Sequence, residues 1–131
     1  MEDLFSEEWA KRFSRKWNNN TEMVEQLAAA NFDSVVALGY PNHSMPEVVL
    51  EITQGRITNT RCMELNNCPD TDWDLRAEPE QWEKWRGNGP GITGLGVAVA
   101  SRQLQFIAGD YRRMIRQPLL AGPFLKFFTF L

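Results

Sequence analysis

His43, the chain's one histidine, lies in the turn Pro41-Asn42-His43-Ser44-Met45-Pro46, and Cys62 and Cys68 are the two thiols. Those three donors stand at spacings unlike the paired motifs of structural zinc sites. Asp70-Thr71-Asp72-Trp73-Asp74 begins like a calcium loop, but Leu75 stands where that loop needs glycine and Gln81 where it needs a bidentate glutamate. No metal is therefore expected. Ser6, Ser14, Ser34, Ser44 and Ser101 lack the glycine-flanked setting of a nucleophile elbow. His43, between prolines, reads as a solvated loop residue rather than a general base, and the carboxylates read as solvated faces of strands and helices. No catalytic residue is assigned. Gly89-Pro90-Gly91-Ile92-Thr93-Gly94 matches G-x-G-x-x-G. A tryptophan-bearing helical segment precedes it, where a dinucleotide site needs a strand and a parallel βαβ unit. The glycines read instead as a hinge between two helices.

More is carried by the charges and apolar residues near the end. Asp110 follows a strand-like run and precedes two arginines, a setting for a helix cap more than for a buried ion pair or an acid. Arg112, Arg113 and Arg116 come next, either as a solvated basic face or as partners for an anion. That anion could be the head group of an amphipathic ligand, a membrane surface or a coenzyme A moiety. The last eight residues then hold four phenylalanines and two leucines. Burying each such side chain fully is worth roughly 1.5 to 3 kcal/mol, so something covers this segment. It packs as part of the chain's own core, lines an apolar cavity, or docks on a partner or membrane.

At 131 residues, 43% hydrophobic, with net charge -3 and pI near 5.2, the chain is one domain able to bury a core without staples. The acidic balance disfavours nucleic acid as a partner. Two cysteines and no secretory signal fit reduced thiols in the cytoplasm. No run approaches the ~20 apolar residues of a transmembrane helix.

The elements that must position these residues follow from spacing. Ser6 caps a helix with Glu7 and Glu8 in its first turn and Lys16 late, and Phe5, Trp9, Phe13 and Trp17 make an aromatic stripe up to Asn18-Asn19-Asn20. A second helix runs from about Thr21 to Ala30. Strands follow at Val35–Tyr40, Val48–Thr53 and Ile57–Leu65, an antiparallel meander turning at Gln54-Gly55, and then around Trp73, Leu75 and Ala77. Pro79 opens a helix bearing Trp82 and Trp85 and stopped by Gly87; Ile92, Leu95 and Val99 mark another. A strand over Leu104–Ala108 and helical pieces broken at Pro118 and Pro123 complete an α+β domain.

This order of elements resembles the sterol carrier protein type two family over nearly the whole chain. The resemblance rests on the helix with Trp9, on Glu51-Ile52-Thr53-Gln54-Gly55-Arg56-Ile57, and on Asp72-Trp73-Asp74-Leu75-Arg76-Ala77. It continues in Glu80-Gln81-Trp82-Glu83-Lys84-Trp85 and in Leu104-Gln105-Phe106-Ile107-Ala108-Gly109-Asp110 before an apolar helix. The glycine-rich Trp85–Leu104 region, without a Gly-Lys pattern, and the aromatic tail depart from the family.

The resemblance implies a single domain over residues 1–131. Its fold would be a five-stranded, mostly antiparallel sheet covered on one face by helices, with an apolar tunnel for fatty acid, acyl-CoA, phospholipid or sterol and no cofactor. The expected tunnel residues are Trp82, Trp85, Ile92, Leu95, Val99, Phe106, Met114, Leu119, Leu120, Phe124, Phe127 and Phe128, with Arg112, Arg113 and Arg116 at the head group. Non-catalytic carriage of a lipid or other hydrophobic small molecule is the favoured function. The alternatives are an interaction module, with the C-terminal segment joining a homodimer or a partner enzyme of apolar-substrate metabolism, and a small enzyme acting on acyl thioesters.

Overall fold

Ser6 begins the first helix as its position predicts: its hydroxyl accepts the Trp9 amide at 3.2 Å, and α1 runs Glu7–Asn19. Asn20 ends α1 and caps α2, Thr21–Ala29, by accepting the Met23 amide. The structure, a computed structural model, describes residues 3–62 and 71–131. The strands are β1 (Ser34–Gly39), β2 (Val48–Thr53), β3 (Arg56–Cys62), β4 (Trp73–Arg76) and β5 (Gln105–Ala108). The helices α3 (Pro79–Gly87) and α4 (Gly91–Ala100) lie between β4 and β5; α5 (Tyr111–Arg116), α6 (Pro118–Phe127) and a 3-10 turn (Phe128–Phe130) follow. The end of the strand expected to reach Leu65, and Cys68 and Asp70, lie outside the described residues.

The sheet order is β3-β2-β1-β4-β5, so the three-strand meander holds and β5 is an edge. β1 and β4 pair in parallel, Val36 opposite Trp73 and Leu38 opposite Leu75, while the other pairs are antiparallel. The hairpin between β2 and β3 turns through Gln54 and Gly55, both at positive φ, as a tight two-residue turn requires. Gly55 is also wedged under α2: a Cβ there would stand 2.6 Å from the Val24 carbonyl oxygen.

Helices and sheet meet in one core. Leu38, Leu50, Ile52 and Leu75 from the strands pack with Phe5, Trp9, Phe13 and Trp17 from the α1 stripe and with the C-terminal aromatics. Polar threads pin the layers. The Trp17 indole N–H donates to the Gly55 carbonyl at 2.8 Å, the Trp82 indole to the Gly39 carbonyl at 2.9 Å, and the Asn18 amide exchanges two bonds with the Ile57 backbone. Each donor or acceptor taken from water in this way needs its partner, since an unmade buried bond costs about 1 to 3 kcal/mol.

Candidate functional site: an apolar cavity and its cleft

The inward side chains of β1, β2 and β4 alternate with outward ones, which places Val36, Leu38, Leu50, Trp73 and Leu75 under α5 and α6. Between these layers lies an apolar cavity. A water-sized sphere can place its centre in about 40 Å³ of it, and Trp17, Leu27, Phe32, Met114, Leu120, Pro123, Phe124 and Phe127 complete the wall. One water needs about 10 to 15 Å³ by the same measure, so this space is far smaller than an acyl chain or a sterol. Leu120, Phe124 and Phe127, expected to line a tunnel, wall this small cavity from the α6 side. Ring contacts explain why they stay: Phe124 and Phe127 lie 5.3 Å apart, and Phe124 sits 5.9 Å from Phe106.

Phe32, Trp73 and Leu120 also line a second space, a surface cleft of about 370 Å³. These three side chains form the partition between cavity and cleft. The cleft rim is polar, with Asn31, Ser34, Asp72, Asp110 and Arg113. Its carboxylates are held by the backbone: Asp72 accepts the Val35 amide at 2.8 Å, and Asp110 accepts the Arg112 amide at 2.9 Å as the cap of α5. Gly109 lets Trp73 lie flat on the chain here. Its φ is +94°, and a Cβ would stand 2.2 Å from the Trp73 ring.

The residues singled out from sequence separate into groups. Met114, Leu120, Phe124 and Phe127 line the cavity, and Arg113 lines the cleft. Phe106 flanks them, packed on Trp73, Tyr111 and Phe124. Trp82, Trp85, Leu95 and Phe128 belong to the core but to neither space, and Val99 and Leu119 are partly buried. Ile92 is 58% exposed, and Arg112 and Arg116 are exposed beside the cleft without lining it. Trp17, Leu27, Phe32, Val36, Leu38, Leu50, Trp73, Leu75 and Pro123 are wall residues that the sequence reading did not name. Strand alternation carries a signal for Leu38, Leu50, Trp73 and Leu75; Phe32, in a turn, carries none.

The C-terminal segment is covered by its own chain. Phe128 packs among Trp82, Trp85 and Phe127, and Phe130 meets Phe13. Arg12 donates to the Phe130 and Leu131 carbonyl oxygens, and Arg86 donates to that of Leu131. The three alternatives left open by its composition thus resolve into core packing, with Phe124 and Phe127 also walling the cavity.

The opposite face of the sheet corrects one expectation. Asp74, expected among the solvated carboxylates, is 6% exposed and forms a two-pronged pair with Arg76, at 2.6 and 2.9 Å. Arg76 also donates to the Tyr40 and His43 carbonyl oxygens, because the turn after β1 folds over it. Gly39 permits this approach, its Cβ position lying 3.0 Å from the Glu47 amide. His43 is solvated, as expected of a loop residue, and its Nδ1 meets Glu47. Burial, reinforced by Glu47 and Glu83, raises the Tyr40 phenol above the usual 10.0. Among the described residues no cluster of three or more acids, cysteines or histidine could hold a metal.

Sheet order, helix placement and the cavity beneath the C-terminal helices define a sterol carrier protein 2-type fold. The chain superposes on the crystal structure of sterol carrier protein 2 with a TM-score of 0.69 and 20% identity, covering 96% of this chain and 97% of that one. It is similar also to a possible sterol carrier protein from Thermus thermophilus, with a TM-score of 0.63, 20% identity and coverage of 96% and 87%. UbiJ-SCP2, a ubiquinone synthesis protein, aligns with a TM-score of 0.59 and 13% identity over 97% of this chain and 93% of that one. No family model and no curated protein matches the sequence. Among the described residues no helix is long and apolar enough to cross a membrane.

Proposed function

We propose that this protein binds and carries a lipid or other hydrophobic small molecule without catalysing a reaction on it, in the cytoplasm. The observation that carries the reading is the thin wall, Phe32, Trp73 and Leu120, that the apolar cavity shares with a polar-rimmed cleft. An amphipathic ligand matches both spaces: its apolar part replaces the side chains that now close the cavity, and its head stays in the cleft. Entry requires α6 to move. Gln117, extended between α5 and α6, and Pro118 at the first position of α6 break the helical run, so the start of α6 moves relative to α5 when Leu120 and Phe124 leave the wall. Released aromatic contacts are replaced by ligand contacts of the same apolar kind, so the exchange costs little.

Arg113 is the head-group residue in this reading. No hydrogen bond or ion pair engages its guanidinium among the described residues, and a charge-assisted bond to a ligand carboxylate or phosphate is worth about 1.5 to 3 kcal/mol. Native mass spectrometry of the purified protein, followed by denaturing extraction, tests the proposal. The expected result is an added mass matching a fatty acid, phospholipid or acyl-CoA, with Arg113→Ala weakening rebinding of a fatty acid about tenfold or more. A bare mass, together with no uptake of added fatty acid or sterol, overturns it.

A second reading draws on the likeness to a ubiquinone synthesis protein: an accessory subunit that presents an apolar substrate to an enzyme. Ligand binding is common to both, and a stable complex or homodimer in the same native spectra separates them.

A further inference from the structure

Charge along this chain is divided unevenly. From residue 84 to the end the basic side chains are Lys84, Arg86, Arg102, Arg112, Arg113, Arg116 and Lys126 and the one acid is Asp110, a net charge of +6 against -3 for the whole chain. Inside that basic third, Gly87 to Ser101 carries no charge at all, and α4 lies within it. Leu95 and Ala98 bury one side of α4, whereas Ile92 and Val97 remain 58% and 59% exposed. A surface helix of a monomer normally turns charged residues outward. This one turns outward Ile92, Thr93, Val97 and Ala100.

α5 adjoins it. The Tyr111 hydroxyl at the start of α5 faces Gly96, a Cβ there lying 3.8 Å away, and Ile92 stands one turn along the same side of α4. Exposed Arg112 follows Tyr111 directly, and Arg116 lies one turn further on α5. Arg102 closes the other end of α4.

We infer that α4 and α5 form a docking face for an anionic lipid bilayer, with Ile92 and Val97 entering the interface and Arg102, Arg112 and Arg116 meeting lipid phosphates. Charge complementarity selects this occupant: residues 9–20 on α1 are also basic, with Lys11, Arg12, Arg15 and Lys16 and no acid, but among the described residues only at α4 and α5 does positive charge border an exposed apolar strip, Ile92 and Val97. The same helix α5 supplies Arg113 to the cleft, so docking brings the cleft close to the membrane. Docking does not require a ligand in the cavity, and vesicle binding is measured with ligand-stripped protein.

Co-sedimentation with phosphatidylcholine vesicles, with and without phosphatidylserine, tests it. Wild type is expected on the phosphatidylserine vesicles and to be released by salt. Arg112→Ala with Arg116→Ala weakens partitioning about five-fold per arginine and so roughly 25-fold, while the lysine pair R112K/R116K retains binding. Ile92→Ser with Val97→Ser weakens it too, and Lys11→Ala with Arg15→Ala on the exposed face of α1 leaves it unchanged. All these positions are exposed, and circular dichroism checks each fold. Wild type that ignores phosphatidylserine vesicles overturns the inference, as does binding lost only with the α1 variant. A dimer abolished by Ile92→Ser with Val97→Ser, without vesicle binding, reassigns the face to a second copy of the chain.

Discussion

Asp74 and Arg76 show how context changes what a side chain does. Two residues apart on β4, they share one face, and the turn after β1 removes both from water. Truncating Arg76 leaves a buried carboxylate without its counter-charge, which costs about 3 to 5 kcal/mol. Arg76→Leu is therefore expected to lower unfolding free energy by that amount in urea titrations, whereas Asp74→Leu with Arg76→Met, removing both charges, costs less than the single change. Tyr40 gives a test by pH. Its folded phenol keeps its proton above the 10.0 of an ordinary tyrosine because ionisation would occur in a partly dry site facing Glu47 and Glu83. Below pH 10 both folded and unfolded chains hold the proton and the group adds no pH dependence. As pH rises from there toward the folded value, the unfolded chain ionises first, and stability falls. Tyr40→Phe keeps the ring against Phe5 and is expected to remove that part of the alkaline loss, read from melting temperatures across the interval.

The β2–β3 hairpin and α2 depend on one position. Gly55 combines a φ of +81° with a Cβ site 2.6 Å from the Val24 carbonyl oxygen and 2.8 Å from Leu27 Cβ, so a methyl group there meets both backbone strain and steric conflict. Gly55→Ala is expected to destabilise by more than about 1 kcal/mol, measured by chemical denaturation, and to weaken the Trp17 bond to the Gly55 carbonyl. Its partner elements were legible in the sequence for local reasons. Ser6 and Asp110 cap the helices they precede, the asparagines up to Asn20 end α1, Pro79 stands at a first helical position, and Gln54-Gly55 turns the hairpin. Each signal is decided by neighbours within a few residues, which is why it can be read without the fold.

The core as a whole closes on its C-terminal aromatics, with Phe128 fully buried among Trp82, Trp85, Phe124 and Phe127. Phe128→Ala is expected to cost about 3 to 5 kcal/mol in unfolding free energy, by lost transfer energy and by the void left between α3 and the tail. Composition and periodicity determined a good deal by themselves: an α+β domain, its element order, the aromatic stripe of α1, and the need to cover an apolar terminus. What covers that terminus was decided only when distant segments met. The parallel pairing of β1 with β4, the burial of Asp74 and Arg76, and the small size of the apolar cavity, about 40 Å³, depend on which faces come together. So does the partition formed by Phe32, Trp73 and Leu120, drawn from the turn after α2, from β4 and from α6. Spacing along a chain fixes the side of an element on which a residue lies, whereas the width left between two packed sides depends on every side chain that enters it.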